Sequence, residues 1–162
     1  MGVKIYRGRR TAADGQPVTL FIIGMRINKL RQFRAWFPVF KAMPDMLREL
    51  YTKKEYGFLS HEMMIGWRSI TLIQYWRSTE ELLDYAHHGK HLKAWQEYYR
   101  TSAASGAVGI FHETYEVTRR ESIYNNMPAL GLGKAVGHAP VKTGRERAQE
   151  RLDQSTEEKT DA

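Results

Sequence analysis

The chain has 162 residues, 42% hydrophobic and 12% aromatic, which suffices for one well-cored domain with extensions. It has no cysteine, so disulfides, thiolate metal sites and cysteine nucleophiles are excluded. The net charge of +7 is diffuse, at +3 over residues 1–17, +3 over 18–118 and +1 over 119–162, and only KIYRGRR near the start is densely basic, so nucleic acid is not an expected partner.

Residues 1–16 end in a turn-rich Ala-Ala-Asp-Gly-Gln-Pro run and read as a flexible lead-in. Val18 to Ile27 is apolar on both faces, as a central strand should be. It is far too short to span a bilayer, and no membrane partner is expected. No signal-like run opens the chain, and the cytoplasm is the expected location. Asn28 is placed to cap a helix over 29–53, whose Leu30, Phe33, Phe37, Phe40, Leu47, Leu50 and Tyr51 form one apolar stripe. Pro38 and Pro44 lie inside it and predict a kink or split near Met43-Pro44.

Phe58 to Gly66 and Ile70 to Trp76 read as a strand pair around a Gly66-Trp67-Arg68-Ser69 corner. Ser78 or Thr79 then caps a helix from Glu80 to Tyr99, with a break at His88-Gly89. Ile110 to Thr118 is the fourth strand. The order β-α-β-β-α-β over residues 17–120 predicts an α+β, ferredoxin-like domain, an antiparallel sheet with helices on one face. Its bare face would need cover, most simply from a second copy. Residues 121–138 read as an ordered arm over the domain, and 139–162 as a charged tail, disordered or a frayed helix.

Two strands each carry a His-Glu pair, His61-Glu62 and His112-Glu113, and adjacent strand residues point to opposite faces. A histidine beside a carboxylate is a fitting general base, because the carboxylate fixes its tautomer. His61, His112 and Glu113 are therefore the catalytic candidates, weighed against a structural His–Glu contact. By simple alternation His61 shares a face with Leu59, Met63, Ile65 and Trp67. HEMMIG lacks the second histidine of a zinc helix, and His87, His88 and His91 straddle a helix break, so no metal site is expected. Trp67, Tyr75, Trp76 and Tyr115 are candidates for lining a pocket for a flat apolar ligand, and Arg26 for an anion or carbonyl contact. The arm would place Tyr124, Asn126 and Met127 at its mouth, as a lid or a dimer strap.

The segments GMRINK, AMPDMLRELY, GFLSHEMMIG, LIQYWRSTEELLDYA, GIFHETYEV and YNNMPALGLGKA carry a resemblance over residues 16–137. The chain resembles the antibiotic-biosynthesis monooxygenase group of dimeric α+β barrels and, within it, the family named after the fumagillin-pathway monooxygenase. That resemblance implies a barrel-type homodimer and monooxygenase-like oxidation of a small, partly apolar organic molecule. No cofactor is expected, because the group includes oxygenases that need neither metal nor flavin. In such enzymes the substrate yields a carbanion that passes an electron to oxygen, with Tyr124 or Asn126 here holding the oxyanion. The group also implies alternatives. Haem-degrading members use an Asn–Trp–His set, for which Asn28, Trp76 and His91 are available without matching its spacing. Haem-containing aldoxime dehydratases share the architecture, and His61, His91, His112 or His138 would then be the iron ligand. A non-catalytic ligand-binding module is the third possibility.

Overall fold

The computed structural model describes residues 2–13 and 15–157, with side chains to residue 153. Strand β1 spans Tyr6–Ala12, β2 Val18–Ile27, β3 Phe58–Ile65, β4 Ser69–Trp76 and β5 Val108–Val117. Short β6 (Tyr124–Met127) and β7 (His138–Pro140) follow. The helices are α1 (Phe33–Thr52), α2 (Thr79–Ala86), α3 (Gly89–Thr101), the single turn α4 (Gly131–Ala135) and α5 (Ala148–Glu157).

The main sheet has the order β3-β4-β2-β5 and is antiparallel throughout. With α1 between β2 and β3, and α2–α3 between β4 and β5, this is the ferredoxin-like α+β arrangement that the element order implied. One face meets the helices. Phe58, Leu72 and Trp76 of the sheet pack there against Leu47 and Leu50 of α1 and Leu82 and Tyr85 of α2. Trp76 is fully buried, and its indole nitrogen donates to Gln74 Oε1 at 3.0 Å, so its one polar atom is satisfied inside the core.

Ser78 caps α2 by accepting from the Glu81 N–H, with Glu80 and Glu81 in the first turn. The break between α2 and α3 falls at Gly89, which takes a positive φ of 61°. Helix α1 is not split. Both prolines stay inside one helix of 20 residues, because both lie on its exposed side, where the carbonyls they leave unpaired can meet water. Asn28 does not cap it either: the N-cap position is Gln32, and the Asn28 amide donates to the Gly106 carbonyl at 3.3 Å.

The apolar stripe expected along α1 is two stripes. Val39, Met43, Met46, Leu47 and Leu50 face the sheet, whereas Phe33, Phe37 and Phe40 stack on one another along an exposed side.

The lead-in is also corrected, and the tail is helical over Ala148–Glu157. Residues 6–12 form the centre of a second, three-stranded sheet, β6-β1-β7. Arg10 Nε donates to His138 Nδ1 at 2.6 Å, and the Tyr6 ring meets the same imidazole edge-on. The charged composition of the tail does not stop α5 from docking. Arg151, only 7% exposed, reaches Glu121 at 3.0 Å and two backbone carbonyls. Residues 158–162 of that tail lie outside the described residues. Among the described residues no helix is long and apolar enough to cross a membrane.

Leu50 is 2% exposed at the centre of the core. Leu50→Ala should therefore cost about 2–5 kcal/mol, read as a lower denaturant midpoint with an unchanged slope.

Candidate functional site

Antiparallel partners project to the same side, so the register assigns a face to each candidate. Phe21 pairs with Gln74 and Thr114, and Ile23 with Leu72 and His112, which puts all six on the helix side. Glu113 pairs with Ile22 and faces the other way. On β3 a bulge after Phe58 shifts the register, so Phe58 opposite Trp76 and His61 opposite Gln74 both face the helices. Simple alternation had grouped His61 with Leu59; the extra residue regroups it with Phe58. Both histidines thus face the helices, and Glu62 and Glu113 the opposite surface.

The three catalytic candidates are therefore not brought together. The sheet itself stands between His112 and Glu113. Glu113 accepts instead from the Tyr115 hydroxyl at 2.8 Å on the exposed surface. His61 lies 2.9 Å from the Tyr51 hydroxyl. Burial, and then the charge of Lys134, hold its pKa below the ordinary 6.5.

Between the sheet and helices α1–α3 lies a cavity of about 360 Å³. Its wall is apolar, formed by residues such as Ile23, Met43, Leu72, Trp76 and Trp95, and contains no Asp, Glu, Lys or Arg. Its polar groups are Gln74, Tyr85, His87, His91, His112 and Thr114. His91 is the best defined. Its Nδ1 lies 3.0 Å from the Ala86 carbonyl, which can only accept, so Nδ1 carries the proton and Nε2 keeps its lone pair. Burial lowers its pKa despite that bond, and His112 and His87 lower it further, so at neutral pH it is an uncharged base. Tyr85 is 4% exposed, and its hydroxyl is buried without a hydrogen-bond partner. Burial, with Glu49 and Tyr56 nearby, raises its pKa and keeps it a proton donor. Gln74 spends its oxygen on Trp76 and so retains its amide N–H groups.

Of the expected binding residues, Trp76 lines this cavity. Tyr75 and Tyr124 line a separate cavity of about 340 Å³ on the opposite face, under Leu130–Leu132. There the Tyr124 hydroxyl accepts from the Gly133 N–H at 2.8 Å, and Glu62 accepts from the Gly131 N–H at 2.9 Å. Asn126 is occupied in the small sheet, accepting from Gly8 N–H at 3.0 Å, and Met127 beside it is exposed. Trp67, 91% exposed, lies on the surface turn between β3 and β4. Tyr115 and Arg26 are also on the surface, away from both cavities.

His87 and His91, on either side of the helix break, both line the cavity between sheet and helices, while His88 pairs with Asp84 at 3.4 Å. Tyr85 and Gln74 had no signal in the sequence beyond helical and strand periodicity. No group of three His, Cys, Asp or Glu residues among the described ones could hold a metal ion. A haem finds an axial nitrogen at His91 but no cationic side chain in the wall for its carboxylates, and Asn28 does not line the cavity with Trp76 and His91. The wall suits a compact, uncharged molecule better than a haem.

A family described as monooxygenase af470-like matches residues 18–132. The chain belongs to this family. No curated protein matches it. Among solved structures, the af470-like chain is similar to an aldoxime dehydratase, at TM-score 0.63 and 14% identity. That match covers 96% of this chain and 47% of the dehydratase, so the chain spans about half of that protein's length. It is also similar to SnoaB, a cofactor-independent oxygenase from Streptomyces nogalater, at TM-score 0.46 and 9% identity over 64% of this chain and 96% of SnoaB. A dimeric ferredoxin-like protein of unknown function from Bacteroides fragilis matches at TM-score 0.46 and 14% identity, over 61% and 95% of the two chains.

The lowered pKa of His91 has a definite stability sign. As pH falls through 6.5 the unfolded chain takes up this proton first, so the fold loses stability between 6.5 and the lower folded value and keeps it above 6.5. In His91→Phe the rise of the denaturation midpoint between about pH 5 and 7 should be shallower than in the parent chain.

Proposed function

We propose that the protein carries out a monooxygenase-like oxidation of a small, partly apolar organic molecule inside the helix–sheet cavity. The observation that carries this reading is a neutral imidazole whose Nε2 is free in an apolar chamber without fixed charge. Family membership supports the reaction class.

His91 Nε2 removes a proton from an acidic C–H of the substrate, and the carbanion reduces dioxygen by one electron. The radical pair combines to a peroxide. Loss of a second proton with O–O cleavage leaves a carbonyl and one water, so both oxygen atoms and all electrons are accounted for without an outside reductant. His112 lines the cavity and is also solvent-exposed, so it can pass the proton out. Tyr85 and Gln74 supply N–H and O–H donors for developing negative charge on oxygen.

A homodimer accompanies this reading. The sheet surface opposite the helices exposes Phe111 and Tyr115, with half-buried Ile22 between them and the β4 strand. The arm covers only its Tyr75–Val117 end. A second copy laid on the remainder would remove that apolar surface from water. The haem-dependent alternative keeps one supporting observation, the free Nε2 of His91.

Oxygen-electrode assays on apolar ketones with an acidic C–H should show uptake that falls by about 100-fold or more in His91→Ala. In His61→Ala it should change by no more than about threefold, since that side chain lies outside the cavity. The acid limb of kcat/KM should lie below the ordinary 6.5. Undiminished uptake in His91→Ala would sink the assignment. A Soret shift on adding haemin that disappears in the same variant would favour the haem reading instead.

A further inference from the structure

One end of the domain remains unused by the cavity, and of the open sheet face it takes in only the rim, where Arg26 pairs with Ser69 and Gly109. The β3–β4 turn is tied there to the connection between β2 and α1. The Ile27 N–H donates to the Arg68 carbonyl at 2.7 Å, and the Arg68 guanidinium donates to the carbonyls of Ile27, at 2.8 Å, and Asn28. These bonds bring Trp67 and Ile65 to the end where Leu30 and the start of α1 lie. Trp67 is 91% exposed and Ile65 76%, and Leu30, Phe33 and Phe37 are exposed as well.

Cations neighbour these side chains in the sequence. Arg26, Lys29, Arg31, Arg34 and Arg68 lie in the same two segments, and residues 15–44 and 63–79 contain no Asp or Glu. None of the five forms an ion pair among the described residues. The third segment at this end, reached by Asn28 N–H to the Ala107 carbonyl and Lys29 Nζ to the Ser105 carbonyl, is also without a carboxylate over residues 98–112.

We propose that this end docks the protein on an anionic lipid bilayer, with Trp67, Ile65, Leu30 and Phe33 in the interface and the five cations at the headgroups. Exposed aromatic and aliphatic side chains flanked by Arg and Lys match a negatively charged, apolar-cored surface. Trp suits the headgroup depth in particular, because its ring is amphipathic. A two-fold contact between two such ends would set cation against cation. A nucleic acid would take up the positive charge but offers the aliphatic Ile65 and Leu30 nothing to bury against.

The test is flotation of the full chain with lipid vesicles at low salt. Vesicles of roughly seven parts phosphatidylcholine to three parts phosphatidylserine should bind it at least about tenfold more strongly than phosphatidylcholine alone, and about 0.5 M salt should remove the difference. Arg31→Glu with Arg34→Glu should abolish the preference. Ile65→Ser with Trp67→Ser should weaken binding to the mixed vesicles by about tenfold. All four positions are exposed, and circular dichroism of each variant checks that the fold persists. Equal binding to the two vesicle types, or unchanged binding in both variants, would overturn the proposal. So would Trp67→Ser converting a dimer to a monomer without changing flotation, which would make a second copy the occupant. Retention on duplex DNA with no flotation would also overturn it. None of these readouts requires turnover, so they stand or fall apart from the oxygenase reading.

Discussion

Helices α1, α2 and α3 all pack on one face of a four-stranded sheet, and the cavity, the division of the His-Glu pairs and the open surface all follow from that one-sided cover. A strand alternates its side chains, so the helices select one residue in two for the interior. Thr19, Phe21, Ile23 and Met25 of β2 are taken, together with Leu72, Gln74 and Trp76 of β4. The space between those side chains and Val39, Met43 and Leu47 of α1 is not filled, and the cavity is the remainder. Close packing is the rule in protein interiors, so a void of about 360 Å³ between the sheet and the helices offers room for a small ligand.

The same alternation divides each His-Glu pair. Neighbours in sequence become strangers across the sheet: His61 and His112 face the helices, Glu62 and Glu113 the other surface. The base in the cavity is therefore oriented without a carboxylate. The Ala86 carbonyl holds His91 Nδ1–H, and a chamber without fixed charge favours the neutral imidazole. An aspartate or glutamate in that place would pull the pKa upward and leave a charged, proton-loaded ring at neutral pH. The glutamates find structural work instead, Glu62 receiving the Gly131 N–H and lying 3.6 Å from Lys134, and Glu113 receiving the Tyr115 hydroxyl.

The opposite surface is closed at one end only. The arm is fixed there by short-range polar contacts, with Gly133 packed so closely on the Tyr124 ring that a Cβ would lie 2.9 Å from it. Farther along, the Phe111 ring lies across Gly24, where a Cβ would come within 2.4 Å, so the absence of a side chain lets one apolar ring cover the central strand. Strand β1 pairs with both β6 and β7 in the small sheet, so residues 6–12 help to hold the arm.

The residue pattern by itself determined the element order of the four-stranded domain, the central position of β2, the Ser78 cap and the helix break at Gly89. Each depends on local periodicity or on the conformational limits of one or two residues. It also placed Trp76 among the pocket residues. Tertiary structure decided the rest. The bulge that turns His61, the exposed placement of Pro38 and Pro44, and the pairing of residues 6–12 with β6 and β7 all depend on partners distant in sequence. So does the site: Tyr85, His91 and Gln74 come from a helix, the helix after it and a strand, and only packing gives them one common wall. Periodicity reports which residues leave water. It carries no information about which of two buried faces is left unfilled.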